Sequence, residues 1–304
     1  MKYFILAFGE MSLRAVSDLI SMNTAPAFVI THKSYLYDEY KEKFYDKLED
    51  LCVSSSIRLF KTDNVSELKD IFAETEVGIC AGFMEIIKSD VFDAPKYGIL
   101  NLHCGELPLY RGRAPISRTI MDGYDSLYMT LHKIDEGVDS GDVLLEKEIF
   151  IDEDDDVNTL YYKCSIHSAV IIKEGLELLR TNKLDAFKKQ EISSKNKPHK
   201  KITEEERVIN WDVSVKQIFN KIRALTIPYP SAYSFCNGVK YFFLKAKPVY
   251  SNNVSTDYGV ITEVNTDFIL INCKNGILMV YDIRNDNMEQ LEVKSTFKEG
   301  DILK

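Results

Sequence analysis

The sequence predicts an α/β chain, a mainly parallel sheet with helices on both faces, followed by a smaller β-barrel. Three observations carry that expectation. Apolar runs of strand length alternate with helix-spaced segments over the first half of the chain, the pattern of parallel strands joined by right-handed crossovers. Residues 193–206 (SSKNKPHKKITEEE) are polar, hold a proline and lack an apolar period, so they read as a linker. Beyond them, Asn237-Gly238 and Asn275-Gly276 sit between apolar runs and signal hairpins. The domains expected are 1–192, a linker over 193–206, and 207–304.

Taken in order, residues 2–8 (KYFILAF), closed by Gly9, form a buried strand, and Leu13, Val16, Leu19 and Ile20 follow at helical spacing. Residues 27–32 are a second strand, 34–51 a loop and helix, and 57–62 a third strand. Asn64 and Glu67 have the spacing of a helix cap. Residues 77–81 and 99–103 supply two more strands, with a helix near 86–92 between them. Residues 126–135 alternate over part of their length, and 143–151 return after a carboxylate-rich turn, so the two pair as a hairpin. A long helix over about 158–180 carries Leu160, Cys164, Ala169, Ile171, Ile172, Leu176 and Leu179, and the acidic run 152–156 suits its N-terminus. In the second domain an amphipathic helix over 213–225 precedes short strands, a composition that fits a small barrel of the OB type. Trp211 reads as a packing residue there.

A net charge of −9 argues against a large nucleic-acid footprint, because proteins that grip phosphate backbones carry a basic surface. Hydrophobic content of 45% and charged content of 28% are those of a soluble globular protein. Six cysteines with no CxxC pair read as reduced thiols, and no His/Cys spacing suggests zinc, so no metal is expected. The apolar N-terminal run is too short to span a bilayer and has no cleavage site after it; the expected setting is cytoplasmic, with no membrane partner. Gly9-Glu10-Met11-Ser12 follows the first strand in place of GxGxxG, which argues against nicotinamide chemistry.

The chemistry gathers in residues 98–144. Asn101 and His103, two apart in a strand, point to one face. The loop after them, with Pro108 and Pro115, cannot be a regular element. The turn Asp135-Glu136-Gly137-Val138-Asp139-Ser140-Gly141-Asp142 can return an aspartate to the histidine. An amide that donates to an oxyanion, an imidazole that moves a proton and a carboxylate that raises the imidazole pKa suit acyl transfer to an amine. Asn101, His103 and Asp139 are therefore the candidate catalytic residues, with His103 expected protonated. His132, inside a strand, reads as structural or supporting.

NLHCGELPLYRGRAPI followed by DEGVDSGDVL resembles the signature of N10-formyltetrahydrofolate-dependent formyltransferases, the family of methionyl-tRNA formyltransferase and the sugar-nucleotide N-formyltransferases. Within it the chain most resembles the sugar-nucleotide branch, such as the domain acting on UDP-4-amino-4-deoxy-L-arabinose or the enzymes acting on dTDP-4-amino-4,6-dideoxyglucose. NWDVSVKQIFNKIRALTIPYPSA resembles the start of that family's C-terminal domain. The resemblance implies a Rossmann-like catalytic domain with an OB-like C-terminal domain, and places Asn101, His103 and Asp139 at the catalytic positions. It implies folate contacts from Glu85, Ile86, Ile87, Asp135, Glu136, Gly137 and Val138, and acceptor contacts from Arg113, Glu106 and Tyr110. The co-substrate implied is N10-formyltetrahydrofolate. The partner is a small-molecule nucleotide sugar destined for cell-surface polysaccharide or lipid (O-antigen or lipopolysaccharide), with no nucleic acid, and a homodimer is compatible. Gly105-Glu106 stands where the family has Ser-Leu, which bears on the acceptor. Two alternatives stand beside this reading: a methionyl-tRNA formyltransferase, disfavoured by the missing GTPEFA-like run and by the acid-rich stretch after the second strand, and a silent folate or nucleotide binder.

Overall fold

The computed structural model of the chain describes residues 1–34, 41–181, 186–251 and 255–304; the part of the expected loop and helix on residues 35–40 lies outside them. Contacts divide it into two compact units: Met1–Pro115 with Ser126–Phe150 and Leu160–His199, and Ile116–Asp125 with Ile151–Thr159 and Lys200–Lys304.

The first unit is built on β1 (Tyr3–Ala7), β2 (Phe28–Thr31), β3 (Arg58–Lys61), β4 (Val77–Ala81), β5 (Ile99–His103), β6 (Ser126–Lys133) and β7 (Val143–Phe150), in the sheet order β3-β2-β1-β4-β5-β6-β7. The first five strands run parallel and β6 and β7 are antiparallel additions, so the expected mainly parallel sheet is present. Every residue of β1, β2 and β4 is buried, as parallel strands covered on both faces require. The helices are α1 (Glu10–Ser21), α2 (Asp46–Ser54), α3 (Lys69–Phe72), α4 (Ser89–Phe92), α5 (Pro115–Asp122) and α6 (Val157–Arg180), of which α5 belongs by contacts to the second unit. All seven apolar residues expected on the long helix are buried in α6, whose start is capped by Asp156 Oδ1 accepting from the Asn158 and Thr159 N–H groups.

The helix expected near residues 86–92 shrinks to the single turn of α4. Lys88 takes an extended backbone, with ψ of 160°, and so starts the turn only at Ser89, while Ile87 packs into the core beside Val91 and Phe92 and Ile86 is 89% exposed. Asn64 does cap a turn, accepting from Ser66 N–H ahead of the 3-10 segment Val65–Leu68. Phe4 forms the centre of the core, stacked on Phe28 at 5.1 Å and on Phe72 at 4.4 Å.

The second unit carries α7 (Glu204–Arg207), α8 (Val215–Ala224), β8 (Ala232–Cys236), β9 (Val239–Tyr250), β10 (Ile261–Val264), β11 (Ile269–Cys273), β12 (Gly276–Arg284) and α9 (Val293–Thr296). Thr203 and Ser214 start α7 and α8 with capping boxes. The antiparallel sheet runs β10-β11-β12-β9-β8, and both Asn-Gly pairs turn hairpins as expected. Residues 300–304 close it, pairing with Gly259 and Ile261 on one side and with Phe235 on the other, so the sheet becomes a small barrel. Trp211 is 5% exposed, packs against Phe243 and donates to Ser234 Oγ at 2.9 Å, the packing role expected. Among the described residues no helix is long and apolar enough to cross a membrane.

Phe4→Ala should remove about 3–5 kcal/mol of stability from the first unit, since it deletes a fully buried ring from an aromatic stack. Urea unfolding followed by amide exchange in β1 and β4 reads the loss; a change below about 1 kcal/mol would show that the stack does not hold the unit together.

Candidate active site

Strand register assembles the site. β5 and β6 pair so that Asn101 lies opposite His132 and His103 opposite Thr130, and opposed residues of an antiparallel pair share a face. Asn101 Nδ2 accordingly lies 3.2 Å from His132 Nε2. The turn after β6 then brings Asp139 back. Asp135 Oδ1 accepts from Gly137 N–H and Ser140 Oγ, folding the turn on itself, and Asp139 takes a left-handed backbone with φ of 47°. Its Oδ1 accepts from Asn101 Nδ2 at 3.3 Å and lies 3.5 Å from His132 Nε2. Its Oδ2 accepts from Gly112 N–H at 2.8 Å and lies 3.8 Å from His103 Nδ1. The three residues expected in the chemistry thus meet, with His132 as a fourth.

The charges sort by environment. Burial raises the Asp139 carboxyl, but the contact with His132, the attraction of His103 when that ring is protonated and the Gly112 N–H outweigh it and hold the group well below the ordinary carboxylate range. His103 moves the other way from expectation. Burial pushes its imidazole below the ordinary value and prevails over the Asp139 charge, which acts to raise it, so the resting side chain is neutral near pH 7 rather than protonated. Its proton is located by geometry: Nε2 lies 2.8 Å from the Tyr110 carbonyl, an acceptor, so Nε2 carries the hydrogen and Nδ1, facing Asp139, is the basic nitrogen. His132 Nδ1 donates to the Lys133 carbonyl at 2.8 Å, and in the tautomer that leaves Nε2 bare that nitrogen accepts from Asn101. Both amide hydrogens of Asn101 are then directed at protein acceptors, so donation to an oxyanion requires exchanging one of them, and the 3.3 Å bond to Asp139 is the longer.

The loop between β5 and α5 shapes the floor. At Gly105 a Cβ would lie 2.7 Å from Pro115 Cβ and 2.9 Å from His103 Nε2, so only glycine leaves the imidazole its bond to Tyr110. Gly112, with φ of 89°, lies against His199, where a Cβ would meet the carbonyl at 2.4 Å; the close approach frees its N–H for Asp139. Tyr110, expected to contact the acceptor, is 2% exposed with its ring stacked on His199, and its part in the site is the carbonyl that holds His103. Arg113 is exposed, and no partner of its guanidinium is found among the described residues. Glu106 is half-buried, raised by burial and by the like charge of Glu146. Arg111 was not foreseen: buried, it donates from Nε to the Val138 carbonyl at 2.7 Å and from Nη1 to the Asn196 carbonyl at 3.1 Å, tying the turn to the segment after α6.

Beside Asn101, His132 and Asp139 opens a cavity of about 830 Å³ whose walls include Phe83, Glu85, Ile86, Ile87 and residues 134–138. Every residue expected to contact folate lines it. Glu85 also accepts from Val65 N–H at 3.3 Å, and burial raises its carboxyl. Among the described residues no cluster of histidine, cysteine and carboxylate groups suits a metal ion.

A charged carboxylate and an amide donor on the wall of a mixed apolar and polar cavity, with the His103 imidazole 3.8 Å behind the carboxylate, define a group-transfer enzyme. The chain belongs to the formyl transferase family: residues 7–174 match the formyl transferase model and residues 201–300 the formyl transferase C-terminal domain. Among curated relatives it is 31% identical over 234 residues to the methionyl-tRNA formyltransferase of Caldicellulosiruptor saccharolyticus, covering 75% of this chain and 74% of that protein. It is 29% identical over 285 residues to the bifunctional polymyxin resistance protein ArnA of Wigglesworthia glossinidia brevipalpis, covering 92% of this chain and 42% of that one. Among solved structures it resembles WlaRD, a sugar 3N-formyl transferase crystallised with dTDP and 5-N-formyl-THF, at a TM-score of 0.68 and 18% identity over 92% of this chain and 97% of that one.

Asp139→Asn should lower the His103 pKa further, because the carboxylate is the group that raises it against burial. Proton-detected NMR titration of the imidazole reads the shift; an unmoved curve would place Asp139 outside the electrostatics of the site. Stability carries the same sign. A histidine kept neutral in the fold resists a proton that the unfolded chain accepts at about 6.5, so stability is lost as pH falls below that value.

Proposed function

We propose that the protein transfers a formyl group from N10-formyltetrahydrofolate to the amine of a nucleotide-linked amino sugar, a 4-amino-4-deoxy sugar on dTDP or UDP, used for cell-surface polysaccharide or lipid. The observation that carries the chemistry is the joining of Asn101, His103 and Asp139 beside a cavity of about 830 Å³. Phe83, Ile86, Ile87, Ile134 and Val138 suit the flat aromatic body of a folate, and Glu85, Asp135 and Glu136 suit its amide edges. The amine nitrogen adds to the formyl carbon to give a tetrahedral oxyanion, which collapses as the bond to the donor nitrogen breaks and that nitrogen takes a proton back from the His103 imidazolium. His103 Nδ1 takes the proton the amine sheds, Asp139 stabilises the resulting imidazolium, and Asn101 Nδ2 donates to the carbonyl oxygen as it gains charge.

Support for a sugar nucleotide comes from charge. The excess of acid lies in residues 1–199, with 24 Lys and Arg against 34 Asp and Glu, which is unfavourable for a polyanion spread over the catalytic unit. A diphosphate needs only one or two donors, and the exposed Arg113 is one. Glu106 and Glu146 give the acceptor side a cation-seeking pair. A second reading, methionyl-tRNA as acceptor, is favoured by the 31% identity to a methionyl-tRNA formyltransferase.

His103→Ala and Asn101→Ala should each lower turnover by at least about 100-fold while folate binding survives. A folded variant with near-normal turnover would remove that residue from the chemistry. The acceptor is decided by direct competition at moderate salt between methionyl-tRNA and a set of UDP- and dTDP-amino sugars. Formylation of a nucleotide sugar is expected; efficient formylation of the tRNA alone would overturn the assignment in favour of the second reading.

A further inference from the structure

We infer that Gln190 is a positioning residue for Asp139: its amide clamps the turn that presents the carboxylate. Residue 190 lies in the segment after α6, where Lys188 pairs with Val143 at the start of β7 and so fixes the register of the chain beside the site. Gln190 is 9% exposed, and its Nε2 donates to two carbonyls of one turn, Asp139 O at 3.0 Å and Gly141 O at 2.7 Å. The two bonds use both amide hydrogens, one held by the backbone carbonyl of the residue whose carboxylate serves the site and the other by the carbonyl two residues further on.

The opposite end of the same side chain says why it is glutamine. Oε1 is buried and has no hydrogen-bond partner among the described residues, an arrangement that is destabilising and that leucine or methionine would avoid. The side chain therefore earns its place through its donor end alone. What that end holds needs holding. Asp139 sits in the left-handed region, which a side-chain-bearing residue keeps only when its surroundings fix it. Gly141 lies so close to the end of β6 that a Cβ would stand 2.1 Å from the Lys133 carbonyl, so the turn has no slack toward the sheet. Arg111 Nε binds the Val138 carbonyl just ahead of Asp139, and Gln190 binds behind it. Between the two clamps the carboxylate reaches Gly112, Asn101 and His103 without freedom to swing.

This inference rests on the role given to Asp139 above, and the first readout of its test, the imidazole titration, needs no acceptor. The groups acting on His103 are Asp139 from the turn, His132 from β6 and the Tyr110 carbonyl from the loop, and both imidazoles are followed in one NMR titration. Gln190→Leu, which removes both donors at similar volume, should move the His103 titration downward, in the direction Asp139→Asn moves it. Turnover with whichever amine the enzyme uses should fall about tenfold or more with KM changed less than about threefold, the pattern of a mispositioned group. In the Asp139→Asn background the same substitution should add no further shift and less than a twofold loss, because there is no carboxylate left to position. If Gln190→Leu does not fold by circular dichroism, Gln190→Met, an uncharged unbranched side chain of similar length with no donor, carries the same three comparisons. An unshifted titration with turnover within twofold, or an effect fully retained in the Asp139→Asn background, would overturn the assignment.

Discussion

The ionised carboxylate of Asp139 is the interaction on which the rest of the site depends. A half-buried carboxylate is best kept charged when donors satisfy it, and here Gly112 N–H and Asn101 Nδ2 donate to it while two imidazoles stand within 4 Å. Those partners come from three stretches of chain, Asn101 and His103 from β5, Gly112 from the loop after it and His132 from β6, and the turn that carries Asp139 is a fourth. The charge therefore defines a meeting point for four segments, and the local structure of each is arranged to reach it. Gly112 adopts φ of 89° so that its N–H points to the carboxylate, and Gly105 has no side chain so that His103 can turn its other nitrogen to Tyr110.

The sheet supplies the precision. A parallel strand ending at His103 would present only its own two polar residues; adding β6 antiparallel beside it puts His132 opposite Asn101 and Thr130 opposite His103. Thr130 Oγ1 donates to the Gly105 carbonyl at 2.9 Å, so β6 also steadies the loop beneath the histidine. Because side-chain direction has a period of two, a one-residue slip of β6 would send His132 and Thr130 to the opposite face and dismantle both contacts.

Much of this was legible in the sequence, and the reason differs by element. The strands β1, β2 and β4 were legible because residues buried on both faces leave unbroken apolar runs, and α6 because its buried stripe has helical spacing. Asn101 and His103 were legible as a pair two apart. The contact of His132 with both Asn101 and Asp139 was not, since it depends on the register between strands. Arg111 and Gln190 were invisible for a related reason: each acts on backbone carbonyls, at sequence separations of 27 and about 50 residues, and a carbonyl leaves no residue-type signal. The protonation of His103 was misread because a nearby aspartate can be inferred from a motif, whereas the depth of burial cannot.

That misreading bears on how the site works. An imidazole kept protonated by Asp139 would be a poor acceptor for the proton an attacking amine must lose. Burial lowers His103 and leaves Nδ1 vacant, while hydrogen bonds lower Asp139 and leave it charged. The two shifts have opposite electrostatic origins, yet they serve one purpose: an empty base beside a fixed negative charge is reluctant to bind a proton from water and well placed to keep one delivered at short range during reaction. Separating the two requires that the carboxylate stay 3.8 Å from Nδ1, near enough to stabilise an imidazolium and beyond the distance at which a hydrogen bond would favour that ion at rest. Rigid placement of Asp139 by its own turn, rather than by a bond to the histidine, is what permits that separation.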